Sequence, residues 1–306
     1  MTESLRRLLQ HPIDYAGLYP PASLDMRGAL AEYGTAMDSE EEWILNRFLC
    51  PADKLAECFE ALGEFEDKQT GAAPWIDFGV IGTPLESGEA AMESLKKNMS
   101  EVKLAFQHGD VTTFEVKLPL GDQFAGCVAA VAKSFNWFDE RDVEVYVELP
   151  WGPGRREAMA ELASQVDGVG FKARLGGPKP ENFPDTREVA TFIGEVAGLE
   201  SMFKFTAGLH LPLRNYDSDV PSYQHGFVNV MVASAIATIQ SASTDEVDEV
   251  LAIQDPSAFI FTDKTIEIGD HKLSLKDIDE WWLYFGGFGS CSFKEPIEGL
   301  RTNGWL

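Results

Sequence analysis

The stretch VEVYVELPWGPGRREAMAELASQVDGVGFKARLGG (143–177) decides the fold. It opens with β-branched and aromatic residues alternating with polar ones and breaks at Pro150–Gly154. GRREAMAELASQV then carries apolar residues at helical spacing, and a second β-rich run ends in Gly176-Gly177. Two strands joined through a helix lie parallel, because parallel strands need a crossover of about that length.

The same alternation recurs in both directions. Eight strand-like runs are read: DYAGLYPP (14–21), WILNRFLCP (43–51), WIDFGVIG (75–82), TFEVKLP (113–119), VEVYVELP (143–150), GVGFKARLGG (168–177), MFKFTAGLHLP (202–212) and GFVNVMVASA (226–235). Amphipathic segments such as PADKLAECFEALGEF, QFAGCVAAVAKSF and DTREVATFIGEVAG separate them. Eight strands each feeding a helix close into a (β/α)8 barrel of the TIM type. A doubly wound open sheet fits less well, since no GxGxxG follows the first strand. Residues 1–306 read as one barrel domain. Residues 236–306 read as a C-terminal extension packed on it, with a hairpin turning at Gly269-Asp270, a helix in LKDIDEWWLYF and a glycine-rich tail. LRNYDSDVPSYQHG (213–226) has no helical pattern and reads as a long loop over the barrel mouth.

Composition narrows the function. Hydrophobic residues make up 44% of the 306 residues, enough for a sizeable core. The 50 acidic residues against 25 basic ones give a net charge of −25, which repels nucleic-acid backbones and anionic membrane surfaces. The four cysteines form no CxxC pair, which fits reduced thiols and a cytoplasmic location. The N-terminal stretch lacks the apolar core of a signal peptide, and no apolar run is long enough to cross a bilayer.

Side chains alternate across a strand, so residues two apart share a face. A charge in mid-strand points to the barrel axis rather than to the apolar helix layer. By this rule strand four offers Glu115 and Lys117, strand five Glu144, Tyr146 and Glu148, strand six Lys172 and Arg174, and strand seven Lys204, Thr206 and His210. Arg47 in strand two and Asn229 in the expected strand eight sit between apolar residues in the same way. Lys172 and Lys204 lie on consecutive strands among apolar neighbours. A second cation nearby disfavours the ammonium form, and the neutral amine is a nucleophile toward carbonyls. Lys172, Lys204, Glu148 and His210 are therefore the candidate catalytic residues, with Glu148, Tyr146 or Glu115 moving protons. Arg174 and Arg214 suit a carboxylate or phosphate, as does the Gly176-Gly177 turn. Lys117, Glu115, Tyr146, Thr206, Asn229 and Arg47 complete the candidate substrate-binding set. Buried Lys–Glu pairs also serve as structural cross-ties, so that reading stays open beside the catalytic one. His225 and Cys291 read as structural, and Asp14 and Tyr15 either reach the mouth or pin the first strand.

Lys172 in FKARLGG and Lys204 in FKFTAGLH resemble the Lys-x-Ser/Thr-x-Gly and Lys-x-Ser-Gly-Gly strand ends of class I aldolase barrels of the deoxyribose-phosphate type. That family keeps its Schiff-base lysine on strand six and a second lysine on strand seven. The resemblance implies an aldolase-like lyase with its Schiff base on one of these two residues. The two patterns come in swapped order here, and strand four carries Glu115 and Lys117 where that family has an aspartate. DYAGLYPPASLDM, GLHLPLR and FGSCSFKEP further resemble a group of bacterial β/α-barrel proteins with no established activity.

The expected function is a lyase or isomerase acting on a small anionic carbonyl compound, an oxo-acid or sugar phosphate, without a cofactor. Two alternatives stand beside it. One is a metal-assisted barrel lyase with a divalent ion on Glu115, Glu148 and His210. The other is a non-catalytic barrel that binds a small anionic metabolite. No nucleic-acid or membrane partner is expected, and a homo-oligomer remains open.

Overall fold

A computed structural model describes residues 1–65 and 73–306. Among them, eight parallel strands close into a barrel. The barrel strands are β1 Ile13–Tyr15, β2 Leu45–Pro51, β3 Ile76–Ile81, β4 Gly109–Lys117, β5 Glu144–Glu148, β6 Gly170–Arg174, β7 Phe203–Thr206 and β8 Phe285–Ser290. They follow one another round the ring in chain order, and β8 meets β1. With helices between the strands this is the (β/α)8 architecture.

Seven of the eight strands fall within or overlap the runs read from the sequence; the eighth does not. GFVNVMVASA, expected as strand eight, lies in a helix, Phe227–Gln240, buried on every face from Phe227 to Ala237. A helix that is apolar all round has no 3.6-residue signature, so a short window of it looks like a buried strand. The actual β8 is FGGFGS, three glycines in six residues, with a register shift between Phe285 and Phe288 against β7. Glycine is depleted in strands, and the run reads as a tail for that reason. Residues 236–306, expected as an extension, thus contain a barrel strand.

The chain divides into two compact units. In Asp14–Lys172, β2 to β6 pair in sequence. Phe114 stacks on Phe138 of the helix Phe124–Asp139 with ring centroids 4.6 Å apart, and Phe78 meets Phe59 of the helix Leu55–Gly63 edge-on. These rings fix the outer face, so Gly79, Thr113, Glu115, Tyr146, Glu148 and Lys172 take the opposite one. A Cβ on Gly79 would lie 2.5 Å from Leu49 Cδ2 and 2.9 Å from Thr113 Oγ1, so the inner layer has no space for a side chain there.

The second unit joins Met1–Ile13 to Ala173–Leu306. Phe203, Phe205 and Phe285 form a cluster closed by Trp281, whose ring stacks on Phe285 at 4.4 Å. The expected hairpin at Gly269-Asp270 is present, with strands Thr265–Ile268 and His271–Ser274, and LKDIDEW forms a helix, Leu275–Trp281. Helices start on the capping boxes Asp185/Glu188, Ser243/Glu246 and Ser274/Asp277. The stretch 213–226, expected as an irregular loop, folds into a small hairpin with strands Asn215–Asp217 and Ser222–Gln224. Among the described residues no helix is long and apolar enough to cross a membrane.

Candidate functional site

Barrel catalytic groups sit where strands end, and in Asp14–Lys172 three charged side chains meet at such ends. The register puts Lys117, Glu148 and Lys172 level across β4, β5 and β6, with Glu115 one pleat earlier beside Tyr146. Lys172 Nζ therefore reaches across to Glu148 Oε2 at 3.0 Å and back to Glu115 Oε2 at 2.7 Å. The side chains of Lys172, Glu148 and Glu115 are 6%, 7% and 1% exposed, so water screens neither contact appreciably. Two carboxylates thus compensate the charge of Lys172, which the apolar, cation-flanked setting expected for it did not include. Lys117 belongs to the same face but ends in solvent.

A second polar group lies in the same unit. Arg47 Nε stands 3.1 Å from Asp14 Oδ1, both side chains being buried. Burial works against the guanidinium, but Asp14, Tyr146, Glu144 and Glu115 together outweigh it and hold Arg47 above its ordinary pKa. The Tyr146 hydroxyl donates to Glu144 Oε2 at 2.9 Å. Burial, then the neighbouring Glu144 charge, push its pKa well up, so Tyr146 is a neutral donor. Asp14, which the sequence leaves open between reaching the mouth and pinning the first strand, is thus the ion-pair partner of Arg47.

In Ala173–Leu306, Lys204 is fully buried on β7 and Thr206 partly so, while Arg174 is exposed at the end of β6. His210 Nδ1 and Glu295 Oε2 lie 2.8 Å apart. Glu295 was not singled out from the sequence, and only its place in the first turn of the helix Lys294–Thr302 marks it. Asn229 is not a strand residue facing a cavity. It sits in the helix Phe227–Gln240, where its Oδ1 accepts from Arg214 N at 2.9 Å and its Nδ2 donates to Val250 O and Ile253 O. His225 is buried and bonded through Nε2 to Pro184 O at 2.8 Å. Burial lowers its pKa to about 4 against the pull of that carbonyl, with Arg214 adding to the shift. A Cβ on Gly176 would lie 2.8 Å from Gly208 Cα, so only glycine lets these two strand-end turns approach. Among the described residues no three His, Cys, Asp or Glu side chains are grouped to hold a metal ion.

The chain matches no model of a known protein family, and no relative was found among curated proteins. The fold and the local chemistry therefore carry the functional reading alone.

Proposed function

We propose that the chain is an aldolase-like lyase or isomerase that takes a small anionic carbonyl compound, an oxo-acid or sugar phosphate, as a Schiff base on Lys172. The supporting observation is the position of Lys172 Nζ, 2.7 Å from Glu115 and 3.0 Å from Glu148 at the C-terminal ends of their strands. An ammonium cannot attack a carbonyl, so a carboxylate must first remove its proton. Glu115 is within direct reach to do so. The free amine adds to the carbonyl carbon. The carbonyl oxygen takes two protons, one through Glu148, and leaves as water, and the iminium remains. That iminium accepts the electron pair released when an adjacent C–C or C–H bond breaks, and hydrolysis returns the amine.

Borohydride reduction in the presence of a panel of 2-oxo acids and sugar phosphates, followed by peptide mass spectrometry, tests this. A reduced adduct on the Lys172 peptide, lost in Lys172→Met, is expected. A panel that leaves no adduct on Lys172 while the protein stays folded overturns the mechanism.

A further inference from the structure

Several arginines in this chain take carboxylate partners. Arg7 pairs with Glu3 and Asp279, Arg27 with Glu64, Arg47 with Asp14 and Arg187 with Asp245. With 50 acidic residues to 25 basic ones, such partners are plentiful. Arg214 differs. It is half-buried at the base of the hairpin 215–224, and its Nη1, like that of Arg47, is covered and has no hydrogen-bond partner among the described residues; unlike Arg47 it has no carboxylate at ion-pair distance either. The two carboxylates whose fields it feels, Asp185 and Asp248, form no ion pair with it, although Asp248 Oδ1 is itself covered and has no hydrogen-bond partner among the described residues. Asp185 Oδ1 accepts from Glu188 N at 2.8 Å, and Asp248 Oδ2 faces Arg187 Nε at 3.8 Å.

The remaining contacts of Arg214 hold it in place. Asn229 Oδ1 fixes its backbone N–H, and the Tyr223 ring lies 4.8 Å from Cζ. A ring on the guanidinium face leaves the N–H edges in plane, which is where a planar oxyanion docks. Tyr223 in turn meets Tyr216 across the hairpin, with centroids 5.3 Å apart, and both tyrosines are exposed.

We propose that Arg214 anchors a binding site for a carboxylate group, roofed by the hairpin 215–224. Carboxylate is preferred to phosphate for two reasons. His225 is neutral and tied to Pro184, so it adds no second cation. The helix Phe227–Gln240 cannot offer its first amides, because Phe227 N donates to Leu211 O and Val228 N to Pro212 O. One guanidinium suits one negative charge. This site lies wholly in Ala173–Leu306 and does not rest on the chemistry of Lys172.

The test uses acetate and inorganic phosphate, each against chloride at matched ionic strength, with amide hydrogen exchange of the full chain as readout. Acetate forms no imine, so its result is independent of the Schiff-base reading. Saturable slowing of exchange by acetate at residues 215–224 is expected. Arg214→Gln should weaken the apparent acetate affinity about tenfold or more, the usual loss for a charge-assisted pair. If Arg214→Gln does not fold, Arg214→Lys decides, since it keeps the charge and loses the fork; it should still weaken acetate binding. No acetate effect at 215–224, an equal effect in the Arg214 variants, or an effect with phosphate alone would each overturn the proposal.

Discussion

Lys172 and Glu115 form an ion pair of 2.7 Å with both side chains almost wholly withdrawn from water. Removing one member of such a pair strands the other charge. Lys172→Met strands both Glu115 and Glu148 and should lower stability by about 3–5 kcal/mol, whereas Glu115→Gln leaves Lys172 its contact with Glu148 and should cost less. The double variant should lose less than the sum, because Glu115 is then no longer a stranded charge and only Glu148 lacks the ammonium. Urea unfolding of the four species gives the coupling directly. Additive losses would mean that the two groups are not the interacting unit their geometry implies.

How far the sequence reached depends on which physical signal each residue carries. Glu115, Glu148 and Lys172 were legible because a charge between apolar neighbours on an alternating strand has only the inner face to occupy. Their mutual contact was not, because Lys172 and Glu115 are 57 positions apart and only strand register brings them within reach. The apolar setting expected for Lys172 therefore lacked its two carboxylates. Asn229 was misplaced with its element. In an all-apolar helix, one polar residue looks the same as in a buried strand until its three backbone partners are seen. Glu295 gave no sign at all, since a glutamate in a first helical turn is ordinary.

Asn229 should behave as a strut, not as a substrate ligand. Its side chain joins Arg214 N, Val250 O and Ile253 O inside the protein. Asn229→Leu leaves those groups unsatisfied, at about 1–3 kcal/mol for each one that water cannot reach. A fall in the denaturation midpoint is expected. An unchanged midpoint would mean that water replaces these bonds freely.

Gly79 tests the packing of the inner layer. A methyl group there meets Leu49 Cδ2 at 2.5 Å and Thr113 Oγ1 at 2.9 Å. Gly79→Ala should destabilise by about 1–3 kcal/mol, the usual cost of overpacking. Shortening the neighbour in Gly79→Ala/Leu49→Val should recover part of that loss. Thermal melts of the single and double variants measure it, and a double variant worse than the single would place the strain elsewhere.

His225 gives the fold a predictable acid limb. Its pKa is about 4 in the folded chain against an ordinary 6.5, chiefly because burial disfavours the imidazolium. Above pH 6.5 the ring is neutral in both folded and unfolded chains and contributes no pH dependence. Between 6.5 and 4 the unfolded chain binds a proton that the folded chain does not, so stability falls as the pH drops through that window. A shift of this size corresponds to about 3 kcal/mol. His225→Gln keeps a donor for Pro184 O but cannot titrate, so it should lose about 3 kcal/mol less than the parent between pH 7 and pH 4. Urea midpoints at the two pH values give that difference, and parallel losses in parent and variant would show that other groups set the acid sensitivity.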